Sequence, residues 1–196
     1  MKQQPRSFLS TLWPANLTEI SFHFNATDKL IYACRLLRKA VNCGAQVVVT
    51  ATPETLANLD TMLWTLSPLD FIAHCFAQAD AALVSASPVL LGMPVVSAQG
   101  QRTPFELQSP QAAHGNGANA GFGNTGSNAV TGPVVLVNLG DGVPEGFERY
   151  ERLVEIVGGN HEDRVSARDR WKHYASRGYA ITRHDLAAKL SAQSAA

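Results

Sequence analysis

Between Ile20 and Leu66 an alternating stretch gives way to apolar residues at helical spacing, then to a continuous β-branched run and a second helix, and this succession narrows the possible folds more than any other feature. Ile20-Ser21-Phe22-His23-Phe24 alternates apolar with polar side chains and predicts a strand. Leu30, Ala33, Cys34, Leu37 and Ala40 then recur at helical spacing, with Lys29, Arg35, Arg38 and Lys39 on the other side. Asn25 or Thr27 is placed to cap that helix and Gly44 to stop it. Gln46 to Thr50 is a β-branched run suited to a strand buried on both faces. Pro53 opens a second helix, Glu54 to Leu66, since a first-turn residue has no helical hydrogen bond to lose. Strands joined by helices cannot pair as hairpins. The helix carries the chain back, so the strands run parallel. The pattern predicts an α/β domain with a mainly parallel central sheet flanked by helices.

The rest of the chain fits the same scheme. Ala81 to Ser85 and Val89 to Val96 are apolar but interrupted by Pro88, Gly92 and Pro94, which predicts short strands or strand edges. Residues 100–132 are rich in Gly, Asn, Ala and Ser and poor in apolar bulk. Such a segment buries too little surface to offset its chain entropy, so an irregular loop is predicted. Val134 to Leu139 predicts another buried strand. Glu148 to Val157 predicts a helix, with Tyr150, Leu153, Val154 and Val157 on one face. His161 to Gly178 predicts a further helix ended by its glycine. The domain is thus expected over 18–190, with an extension at 1–17 and a small polar tail at 191–196.

Charge and composition exclude several function classes. Lys plus Arg and Asp plus Glu each number 16, so the formal net charge is zero and a basic footprint for wrapping duplex DNA is missing. No apolar run reaches the roughly 18 residues of a membrane span. The first residues, broken by Pro14, make a poor signal peptide. Cys34, Cys43 and Cys75 form no CxxC pair and read as free, buried thiols of a cytoplasmic protein. The six histidines lack HxxxH or HExxH spacing, so no metal is expected. Cys75 beside His74 or His173 has no activating surroundings that would mark a nucleophile. The glycines at 115–126 could suggest a phosphate cradle, but a dinucleotide loop needs a strand before it and a helix after it. A nucleotide-binding enzyme using that loop remains the alternative; otherwise no cofactor and no catalytic site are expected.

Two constellations stand out. Arg164, Arg168, Trp171, Lys172 and Ala175 share one helix face, which offers three cations and an indole. That face suits a partner carrying carboxylates beside an apolar side chain. The plainer reading is a solvated basic face with Trp171 turned inward, and a third makes Trp171 a stacking platform for single-stranded DNA. The stretch Leu63-Trp64 to Phe71-Ile72 ends a helix, turns at Ser67-Pro68 and brings large aromatics together. These are either core or a partner-binding edge.

LDTMLWTLSPLDFIAH, PVVLVNL and RVSARDRWKHYASRGY, in this order, resemble the chi subunit of bacterial DNA polymerase III holoenzyme. The similarity runs from about Thr18 to Asp185, broken by 100–132. The resemblance implies a Rossmann-like three-layer fold without nucleotide chemistry. It implies a non-catalytic adaptor that binds the psi subunit, and through it the clamp loader, and also the acidic C-terminal tail of single-stranded DNA-binding protein, which ends in phenylalanine with a free carboxylate. On this chain the tail site would comprise Arg168, Arg164, Trp171 and Lys172, with Val157 as an apolar wall. Trp171 stands where the family can have tyrosine, so the phenolic hydroxyl is lost. The psi surface would comprise Phe71 and Trp64. In some relatives that surface also serves a helicase-like repair protein. DNA contact would be mainly indirect, and no membrane contact is implied.

Overall fold

A computed structural model describes residues 18–66, 71–93 and 133–187. The predicted segments 1–17, 100–132 and 191–196 lie outside them. Along the chain run β1 (Glu19–Ala26), α1 (Lys29–Asn42), β2 (Gln46–Thr50), α2 (Pro53–Thr65), β3 (His74–Phe76), α3 (Ala81–Ala86) and β4 (Val89–Leu91). After them come β5 (Val134–Asn138), a 3-10 turn (Phe147–Arg149), β6 (Arg152–Gly158), α4 (His161–Ser176) and β7 (Ile181–Asp185). The strands form one sheet in the order β3-β4-β2-β5-β6-β1-β7, every neighbouring pair parallel. This is the parallel α/β architecture that the alternation predicts, in the three layers that the resemblance implies.

Two apolar clusters sandwich the sheet. Val47, Val49, Val137, Val154 and Ile156 face α1 and α2. Ile20, Phe22, Val48, Leu136 and Leu153 face the other way, against α3, the 3-10 turn and α4. A central parallel strand covered on both sides must be apolar at every position, as Val47-Val48-Val49 is.

Residues 152–158 are a strand, not the end of a helix spanning Glu148 to Val157. Tyr150, Leu153, Val154 and Val157 do recur at helical spacing, but Leu153-Val154-Glu155-Ile156-Val157 is buried throughout, and a fully buried run has no period by which to tell helix from strand. Ala81 to Ser85 is likewise helix α3 rather than strand, and the strand from Val89 ends at Leu91. α1 is capped by Asp28, whose side chain accepts from Ile31 N at 2.9 Å, and not by Asn25 or Thr27. Strands β3 and β7 were not predicted. The two helix stops hold: Gly44 and Gly178 have φ of +78° and +82°, where other residues are strained.

Glu155 interrupts the apolar run of β6 and is fully buried. Arg170 of α4 donates to it through Nε at 2.8 Å, Tyr174 through its hydroxyl at 2.6 Å, and Asn138 of β5 through Nδ2 at 3.0 Å. Burial pushes the Glu155 carboxyl up from the ordinary glutamate value, against the opposing pull of Arg170 and the donors. At the other end of α4, Asp163 accepts from Gly158 N at 2.6 Å and meets Lys29 Nζ at 2.9 Å. These polar anchors sit at both ends of the helix and fix how it lies on the sheet.

Candidate binding sites on α4 and at the end of α2

A cavity of about 800 Å³ opens between α4 and the sheet edge formed by β1 and β7. From α4 come Arg164, Ala167, Arg168 and Trp171, spaced so that successive turns face the same groove. From β1 come Phe24 and Asn25, and from β7 come Arg183 and Asp185. The β1–β7 register explains the latter pair: Phe22 lies beside Arg183 and Phe24 beside Asp185, so both β7 side chains share the face that carries the two phenylalanines.

The floor is aromatic. Trp171 is half-buried, its ring 5.0 Å from that of Phe22 and 6.2 Å from that of Phe24. Arg164 donates through Nη2 to Asn25 Oδ1 at 2.6 Å, and Asn25 Nδ2 donates to Asp185 Oδ1 at 2.9 Å. Asn25 has φ of +61°, in the left-handed region that asparagine tolerates better than most residues, and the β1–β6 register breaks there. Arg168 is exposed at the rim, and its guanidinium meets no hydrogen-bond or ion-pair partner among the described residues. A groove with three arginines, one carboxylate and aromatic rings can hold an anionic group beside an apolar one.

The structure brings Arg164, Arg168 and Trp171 together and sets two other sequence candidates apart. Lys172 lies outside the cavity lining, pairing with Asp169 at 3.1 Å, both side chains in solvent. Val157 is fully buried in the cluster beneath Trp171 and does not reach the cavity. Sequence reasoning missed Phe24, Asn25, Ala167, Arg183 and Asp185. The Ile-Thr pair after Gly178 was the available signal for β7.

The second candidate patch is solvent-facing. Trp64 and Phe71 are 58% and 60% exposed, which excludes a core role for either, and their rings lie 4.9 Å apart. Trp64 ends α2 and Phe71 leads into β3; Ser67 to Asp70, with the predicted turn, lie outside the described residues. Beneath them is the ring of His74, 5.2 Å from Trp64. It is held by Ile72 O at 2.6 Å from Nδ1 and lies 3.3 Å from Asp60 Oδ1 through Nε2.

Elsewhere, no cluster of His, Cys, Asp and Glu among the described residues could hold a metal. No described helix is long and apolar enough to cross a membrane. Residues 115–126, on which the nucleotide reading depends, lie outside the described segments.

Comparison with known proteins adds two findings. The family model described as "DNA polymerase III chi subunit, HolC" matches residues 17–120 and 121–182. A relative in Pseudomonas aeruginosa, named DNA polymerase III subunit chi, is 26% identical over 175 residues, covering 87% of this chain and 98% of its own length.

Proposed function

The chain belongs to the DNA polymerase III chi subunit family, an accessory component of a replicative polymerase, and from that premise we propose that it is an adaptor joining the psi subunit and clamp loader to the tail of single-stranded DNA-binding protein. The cavity between α4 and β7 carries this reading. It places three arginines over an aromatic floor, the chemistry needed for an acidic peptide that ends in phenylalanine and a free carboxylate. Arg168 is the principal carboxylate ligand, and Arg164, tied to Asn25, supports it. The exposed Trp64–Phe71 pair at the end of α2 is the psi surface, because two adjacent large apolar rings in solvent are the kind of anchor that interfaces bury. The two sites draw on different elements, so both partners can be held at once. Each contact gains from high local concentration when many tails sit on one coated strand. Trp171 is a poor platform for stacking bases, since Phe22, Phe24 and Arg183 already surround its ring.

The test is a pull-down with intact and tail-deleted single-stranded DNA-binding protein. Capture should need the tail. Equal capture of both forms would remove the adaptor reading.

A further inference from the structure

We infer that Arg183 is the second arm of the carboxylate clamp in this cavity, gripping the ligand's terminal carboxylate from the wall opposite Arg168. The inference rests on the tail-binding reading above and assigns a specificity-determining role to a residue on an edge strand.

Arg183 is exposed on β7, next to Phe22 of β1 in the parallel register, so its side chain rises on the α4 side of the sheet. Its guanidinium carbon lies over two rings at once, 5.7 Å from the centre of Phe24 and 5.9 Å from that of Trp171. Cation–π attraction at such distances holds the planar group in place while leaving its N–H edges for an acceptor. Among the described residues it has no hydrogen-bond or ion-pair partner of its own. Arg168 stands on α4 across the same cavity, also unpaired there. Arg164 differs, for its Nη2 is already committed to Asn25. The two uncommitted forks therefore face one space from two elements, above the aromatic floor.

A carboxylate has two oxygens and can accept from both sides, so this arrangement recognises a free terminal carboxylate beside an apolar side chain better than a side-chain acid or a blocked end. An exposed lysine patch would attract any anion; a fork pinned on rings demands a particular position. Ordering a long arginine side chain normally opposes binding, and Phe24 and Trp171 have already restricted this one.

The experiment uses the full chain and two labelled peptides of the same acidic sequence ending in phenylalanine, one with a free terminal carboxylate and one amidated. The parent should prefer the free acid. Arg183→Ala should weaken the free-acid peptide by about tenfold or more, the size of one lost charge-assisted hydrogen bond. It should change the amidated peptide little, so the preference collapses. Arg183→Lys should restore only part of it. Phe24→Leu, which keeps apolar volume but removes the ring, should reproduce part of the loss with Arg183 intact. Because Arg183 is exposed, the melting temperature should stay at the parent value, separating lost recognition from lost folding. Unchanged affinity and preference in Arg183→Ala would overturn this inference and leave the adaptor reading standing. A parent protein that binds neither peptide would overturn both.

Discussion

Arg170 of α4 and Glu155 of β6 form an ion pair of 2.8 Å whose two side chains are almost wholly removed from solvent. Such a pair adds little over a well-packed apolar one, but losing one partner strands a buried charge. Glu155→Ala should therefore destabilise the protein by about 3 to 5 kcal/mol. Among the described residues, it would leave Arg170 with only Asp141 O as acceptor and Tyr174 without its own. Chemical denaturation would measure this, and a loss below about 1 kcal/mol would mean the network does not hold α4 to the sheet.

Arg168→Ala should weaken binding of an acidic, phenylalanine-ending peptide by about 30-fold or more, since truncating one partner of a partly desolvated charge pair costs roughly 2 to 5 kcal/mol. Arg168→Lys should recover part, because a point charge lacks the planar fork. Titration at two salt concentrations would test it. An affinity equal to the parent's would put the pocket elsewhere.

Lys172→Ala should lower the same affinity by less than about threefold, as expected for an exposed charge paired with Asp169. Its effect should shrink further at high salt. A loss as large as that of Arg168→Ala would show that Lys172 swings into the cavity on binding.

Phe71→Ala should weaken psi binding by about tenfold or more while leaving peptide binding at α4 unchanged. With the ring 60% exposed, stability should stay within about 0.5 kcal/mol of the parent. A fallen melting temperature would show that Phe71 supports the fold, and an unchanged psi affinity would move that surface away from the end of α2.

Of the three cysteines expected to be buried, only Cys34 is, for Cys75 is partly exposed and Cys43 exposed, so Cys34 and Cys43 should separate cleanly on alkylation. Burial pushes the Cys34 thiol up to about 11, so at pH 8 it stays a thiol inside the core, whereas Cys43 is exposed. Mass spectrometry after brief iodoacetamide treatment should find Cys43 modified and Cys34 intact until denaturant is added. Early labelling of Cys34 would mean that α1 opens readily from the sheet.

The sequence by itself determined the parallel α/β plan, because residues 20–66 alternate strand-like and helix-like segments, the order that helices crossing between parallel strands require. It also determined that Arg164, Arg168 and Trp171 share a face, since that follows from helical pitch alone. Local pattern ran out where burial erased periodicity, as at Leu153 to Val157, and where an edge strand is too exposed to show one, as at Ile181-Thr182-Arg183-His184-Asp185. Only the tertiary structure decided what faces α4. Lys172 and Val157 are close to the pocket in sequence or family pattern, yet one points to Asp169 in solvent and the other sits beneath Trp171. Asn25 and Asp185 are 160 positions apart, and they meet because β7 pairs with β1. Helical neighbours are set by bonds a few residues long, whereas the far wall of this cavity is set by strand order, which no local stretch of residues encodes.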